Sequence, residues 1–123
     1  MKENEINEVT KTIEYKGKKY DVVFNLNVMK EIQDKYETID KWGDLTDGSN
    51  PTGEPSAEAV IFGFTAMINE GIDIANEESE EKIEPLTLKQ VGRMITDIGL
   101  KGAMKKLNEV VVESTKTDDG KNA

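Results

Sequence analysis

Residues 56–78 decide the fold, and they read SAEAVIFGFTAMINEGIDIANEE. Their apolar side chains recur at steps of three and four residues, which is the spacing of one face of an α-helix. We therefore predict a central helix over 56–78. Phe62, Ala66 and Met67 widen the apolar face beyond one stripe, so the helix is either contacted on several sides or exposes a patch for a partner. These three residues are the candidate partner-binding residues.

A β-hairpin is predicted upstream, over residues 9–25. Apolar residues alternate with polar ones on both sides of Lys16-Gly17-Lys18-Lys19, and this alternation is typical of strands with one buried face. Gly17 supplies the positive φ that a tight turn needs. An isolated hairpin is only marginally stable in water, so helices must cover its apolar face.

Three further helices and one long loop complete the predicted domain. Helical spacing of apolar residues predicts helices over 27–37, 88–98 and 100–113, with Thr87 and Gln90 forming a capping box before the second of these. Residues 38–55 are rich in Gly, Pro, Asp and Asn, so we predict a loop whose Ile39, Trp42 and Leu45 fold back as an anchor. The expected organisation is a flexible N-terminus (1–8), one α+β domain (9–113) and a disordered tail (114–123).

Length and composition limit the functions to consider. A chain of 123 residues is expected to form one domain, and the absence of cysteine suits a reducing cytoplasm. The longest mostly apolar stretch is too short to cross the ~30 Å of a bilayer core, so no membrane partner is expected. A net charge of −9 argues against nucleic acid as a partner. The charge is uneven, because 70–84 is acidic and 89–106 is basic, which favours a protein partner or self-association.

Chemistry by side chains is sharply limited. The chain has no histidine and no cysteine, which removes His-based triads, His metal sites and thiol nucleophiles. We therefore predict no catalytic, metal or cofactor site and no enzymatic activity. Charged residues usually lie on solvated faces, so the carboxylates alone do not indicate a site.

Two local patterns resemble known sites but are better explained by structure. Residues 44–50 have the composition of a calcium loop, yet the twelfth position holds Pro55 instead of the bidentate Glu. Gly99-Leu100-Lys101-Gly102 fits the Gly-x-x-Gly loop of KH domains, but the chain ends before the strands that such a domain needs. We interpret the first as a turn and the second as a corner between two helices.

The order of features resembles the small tail-assembly chaperones of siphophages and of prophages of Gram-positive bacteria. The resemblance covers residues 13–112. It depends on the hairpin end Tyr20-Asp21-Val22-Val23-Phe24-Asn25, the helix from Leu26 to Tyr36, the apolar helix from Ala59 to Ala75, and Leu86-Thr87-Leu88-Lys89-Gln90-Val91-Gly92 before the C-terminal helices.

The resemblance implies a non-catalytic protein of the host-cell cytoplasm that is absent from the mature virion. It would bind the tape measure protein and help to recruit tail tube subunits, with homo-oligomers as a further expectation. In many members of the family a translational frameshift adds a second domain. The alternative, suggested by the net charge of −9 and the acidic run 77–84, is an acidic protein-binding inhibitor or a DNA-mimicking regulator.

Overall fold

The computed structural model describes residues 8–115 and shows an α+β fold, as predicted. An antiparallel hairpin is followed by five helices, with the bounds β1 Val9–Tyr15, β2 Lys18–Phe24, α1 Leu26–Tyr36, α2 Ile39–Asp47, α3 Ala57–Glu77, α4 Leu88–Ile98 and α5 Leu100–Thr115. Within this part of the chain, no helix has the length and apolar character needed to cross a membrane. The predictions for 1–7 and 116–123 lie outside the described residues.

The hairpin turns at Lys16 and Gly17, as the sequence indicates. Both residues have positive φ, 52° and 79°, which is the type I′ geometry that matches the twist of two antiparallel strands. In the register Val9 pairs with Phe24 and Ile13 pairs with Tyr20. The buried part of β2 packs against α3, while α5 covers β1. The hairpin is therefore stabilised by helices on its apolar face, as expected.

Helix α3 is the centre of the domain. Ser56 caps its N-terminus by accepting a hydrogen bond from the Ala59 N–H at 3.2 Å. The helix packs against β2 and against all four other helices. Phe64, Met67 and Ile68 are completely buried. The wide apolar face of α3 is thus explained mainly by contacts on several sides.

The predicted loop over 38–55 is wrong in its first half, where α2 forms. Thr38 caps this helix by accepting a hydrogen bond from the Lys41 N–H at 3.0 Å, and Gly48 ends it with φ of 83°. Ile39, Trp42 and Leu45 are spaced three residues apart, which fits a short helix. The predicted anchor is confirmed, because the Trp42 indole is 2 % exposed and its Nε1 donates to the Ala59 carbonyl at 2.9 Å.

The boundary of the predicted C-terminal tail is also wrong. Helix α5 continues to Thr115, and Ser114 is completely buried. The Ser114 hydroxyl donates to the Val111 carbonyl at 2.8 Å, which satisfies a polar group that would otherwise be costly to bury. The polar composition of 114–115 therefore belongs to the last turn of a helix.

Close packing of α3 against Trp42 predicts the effect of a small substitution. A Cβ atom at Gly63 would lie 2.4 Å from Trp42 Cζ2. This distance is too short for two carbon atoms, so the indole or the helix would have to move. We expect Gly63→Ala to displace the indole, weaken its hydrogen bond to Ala59 and lower the free energy of unfolding by about 2–3 kcal/mol. Urea denaturation followed by Trp42 fluorescence measures this change.

Gly43→Ala is the matched control, because it is the same substitution in helix α2, close to the same indole in sequence. A Cβ at Gly43 meets nothing within 4 Å among the described residues. Replacing a helical Gly at an open position should raise the free energy of unfolding by about 0.5–1 kcal/mol. Equal effects of the two substitutions would contradict the packing of α2 on α3.

Candidate functional site

The three candidate partner-binding residues lie in different environments. Met67 is completely buried and Ala66 is 8 % exposed, so the prediction that they form an exposed patch is wrong. The reason is that α1, α2, α4, α5 and β2 surround α3. Phe62 is half-buried and reaches the surface. Of the three, only Phe62 can contact a partner without unfolding of the domain.

Phe62 lines a groove between α3 and α4 with a volume of about 660 Å³. We call it the α3–α4 groove. Its apolar lining comes from Ile61 and Phe62 of α3 and from Leu88 and Gly92 of α4. Leu88 is the first residue of α4 and is 54 % exposed at the mouth of the groove. An exposed leucine beside a half-buried phenylalanine is the kind of apolar surface that binding sites present.

A smaller hollow of about 200 Å³ continues the groove towards the other end of α4. Ile61, Gly92 and Thr96 line both spaces, and Leu100 lies at the far end with 40 % exposure. Gly92 forms part of the groove, since a Cβ at this position would contact Ile61 Cδ1 at 3.4 Å. Helix α4 has 11 residues, so the groove extends over about 16 Å, or three helical turns.

Four charged residues, Lys35, Glu58, Lys89 and Arg93, line the larger part of this groove. The Lys35 ammonium lies 3.1 Å from the Glu58 carboxylate and 5.5 Å from the centroid of the Phe62 ring. Lys89 and Arg93 are exposed one turn apart on α4, and neither forms an ion pair with another residue of 8–115. Because Glu58 neutralises Lys35, the net charge of the rim comes from Lys89 and Arg93.

The connector, residues 78–87, determines where α4 begins. The Asn69 side chain bonds both the N–H and the C=O of Leu86, at 2.8 and 3.0 Å. Asn76 bonds Ile83 in the same way, with both distances at 2.9 Å. The seven helical residues from Asn69 to Asn76 span about 10 Å, and so do the three extended residues from Ile83 to Leu86. The two asparagines can therefore both bond the extended connector.

The N-terminus of α4 is then fixed by the predicted capping box, which the structure confirms. The Thr87 hydroxyl accepts from the Gln90 N–H at 3.1 Å, and the Gln90 side chain accepts from the Thr87 N–H at 2.8 Å. Leu88 is the first residue of the helix. The hydrogen bonds of Asn69 and Asn76 to the connector, together with the capping box, thus hold Leu88 at the groove before any partner binds.

An acidic cluster of α1 and α3 comprises Glu31, Glu70 and Asp73. Burial raises the pKa of the Glu31 carboxyl above its ordinary value, and the charges of Glu70 and Asp73 raise it further. The side-chain amides of Asn25 and Asn27 donate to the Glu70 carboxylate at 2.8 and 3.1 Å. These contacts join the start of α1 to α3, so Glu70 has a structural role.

The two motif-like segments have ordinary structural explanations. Asp44 and Asp47 lie on α2, and the Asp47 carboxylate accepts from the Ser49 N–H at 2.9 Å in a turn. Gly99 ends α4 with φ of 102°, while Gly102 lies inside α5, so the second segment is a helix corner. Within residues 8–115, no group of three Asp or Glu side chains has the geometry to hold a metal ion.

Between α2 and α5 there is a second groove, of about 590 Å³. Asp40, Asp44 and Asp47 lie on its α2 side, and Lys101 and Lys105 lie on its α5 side. The α2 wall is therefore negatively charged and the α5 wall is positively charged. This groove therefore lacks the single sign of charge that would select a partner.

Comparison of the chain with protein-family models, with curated proteins and with solved structures finds no match. The candidate site therefore depends on the geometry of the α3–α4 groove. Phe62 was found from the sequence, whereas Leu88, Gly92 and Arg93 were missed. Gly92 within an otherwise regular amphipathic helix was the available signal, because a helical glycine is costly unless another group approaches closely.

Proposed function

We propose that this protein is a non-enzymatic binding protein whose α3–α4 groove holds a helical segment of another protein. The observation that supports this most is an open, apolar groove about three turns long, lined by the half-buried Phe62 and the exposed Leu88. An amphipathic helix presents its apolar side chains at this scale, which suits a helix-in-groove complex.

The biological role that we propose is that of a tail-assembly chaperone of a siphophage or prophage. The partner would be a helical segment of the tape measure protein, and the complex would help to recruit tail tube subunits in the host-cell cytoplasm without entering the mature virion. Shielding an apolar helix until assembly requires reversible burial, which an open groove of this size would allow. The acidic surface, with a net charge of −9, would keep such a complex soluble.

Leu88→Asp tests the groove directly. Leu88 is exposed and is the first residue of α4, where a carboxylate interacts favourably with the helix dipole, so the fold should persist. A charge at the groove mouth should prevent burial of an apolar helix. We expect co-purification with a co-expressed tape measure protein to fall at least about tenfold.

Leu26→Asp is the matched control. Leu26 is also an exposed leucine at the first position of a helix, it follows an Asn cap, and it does not line the groove. This variant should co-purify like the unmodified protein, and both variants should keep native circular dichroism. If the two substitutions weaken binding equally, the α3–α4 groove is not the binding site. If the unmodified protein binds no tail protein, the chaperone role itself fails.

A further inference from the structure

From the charges around the α3–α4 groove, we infer that its partner is an amphipathic helix with acidic residues beside the apolar stripe in one half only. This inference rests on the proposed function and adds the chemistry of the partner. The larger space, which Phe62 and Leu88 line, has charged residues in its lining, whereas the smaller hollow towards Leu100 has none. A complementary helix must follow the same division.

The cations that select the partner are Lys89 and Arg93. They lie on the solvent-exposed side of α4 with i, i+4 spacing, so both would flank the same side of a bound helix. The third cation, Lys35, is already paired with Glu58 at 3.1 Å. Carboxylates on the partner would therefore be attracted by Lys89 and Arg93, whereas the Lys35–Glu58 pair adds no net charge.

The far half of the groove calls for a partner without charge. Its lining comes from Ala57, Val60, Ile61, Gly92, Ile95, Thr96 and Leu100, none of which is ionisable. A charged side chain buried here would lose its hydration without meeting an opposite charge among the lining residues. The two halves together define the composition of the bound helix and place its acidic half beside Lys89 and Arg93.

A second copy of the chain is a poorer occupant. Among residues 8–115, the large apolar residues exposed outside the groove are Leu26 on α1, Ile83 in the connector and Val112 on α5. They lie on three different elements, so none of these elements offers an exposed stripe three turns long among residues 8–115. A helix-in-groove complex needs several anchors along one helix.

Two synthetic peptides of the same length test the inference. Both carry one apolar stripe and the same fluorescent label, and the positions that flank the stripe in one half are Glu in the first peptide and Lys in the second. Fluorescence anisotropy measures their binding to the full chain. We expect the Glu peptide to bind about tenfold more tightly at low salt. This preference should shrink at about 1 M salt, where the screening length is about 3 Å.

Lys89→Glu/Arg93→Glu should reverse the preference. Lys18→Glu/Lys19→Glu on β2 is the control, since it makes the same change in net charge at two residues that do not line the groove. Equal affinities for the two peptides, equal shifts in both variants, or no binding of either peptide would overturn the inference. The proposed function would survive these results if Leu88→Asp still abolished co-purification.

Analytical ultracentrifugation of the unmodified protein alone tests whether a second copy of the chain occupies the groove. A concentration-dependent dimer that Leu88→Asp abolishes would place a second copy in the groove. That result would overturn the inference of an acidic partner helix. We expect the protein without peptide to show no association that depends on Leu88.

Discussion

We expect Phe64→Ala to lower the free energy of unfolding by about 3–5 kcal/mol. Phe64 is completely buried in α3, within the cluster of apolar side chains that the hairpin and helices share. Truncation to alanine loses the transfer free energy of the ring and leaves a cavity that the close-packed core only partly fills. Since a domain of this size is stable by about 5–15 kcal/mol, the loss is a large share of the total.

Urea denaturation of the two proteins measures the difference, and Ser49→Ala is the control. Ser49 is exposed after α2, and its backbone N–H donates to the Asp47 carboxylate at 2.9 Å. Alanine keeps that N–H, so this substitution should change the free energy of unfolding by less than about 0.5 kcal/mol. Similar losses for Phe64→Ala and Ser49→Ala would contradict the position of the core.

Much of the fold could be predicted from the sequence, because several local signals agree with one another. Alternating residues and Gly17 indicate the hairpin, and the observed strands lie within the predicted range of 9–25. The Thr87 capping box predicts the start of α4, which the structure confirms at Leu88. Each of these features depends on neighbours in sequence, and such features are the ones that a single chain can reveal.

Helix α2 could not be predicted with the same success, because its stability comes from tertiary contacts. Its nine residues include Gly43, and the segment that follows is rich in turn formers. A helix this short is marginal in isolation. What stabilises it is the burial of Trp42 against α3 and the hydrogen bond from Trp42 to Ala59. Gly63 permits that contact, but its proximity to Trp42 is not visible in the sequence.

The candidate site was only partly predictable for a related reason. Its lining comes from α1, α3 and α4, and residues as distant in sequence as Lys35 and Arg93 contribute to it. The sequence shows that α3 has more apolar residues than one stripe needs. Which of them are buried depends on how many elements contact the helix. Phe62 remained at the surface, whereas Ala66 and Met67 were covered.

Met67→Lys should unfold the domain, and this is the largest effect that we expect. Met67 is completely buried, so a lysine ammonium would have to enter the core without an opposite charge. Burying the unpaired ammonium, or removing its proton so that a neutral amine is buried, costs about 5 kcal/mol or more. This cost is comparable with the total stability of the domain. Circular dichroism should show loss of the native helical signal at 25 °C.

Phe62→Lys is the matched comparison, since it introduces the same side chain five residues earlier on the same helix. Phe62 is half-buried and its ring packs edge-to-face on Tyr36 at 5.7 Å, so the substitution costs some stability. The lysine can still extend its ammonium into solvent at the groove, and the domain should stay folded. Binding of a partner helix should be lost, because a large apolar side chain that lines the groove is replaced by a charged one. A Met67→Lys variant that stays folded but no longer binds would place Met67 in the binding interface. That result would contradict the complete burial of Met67 in the core.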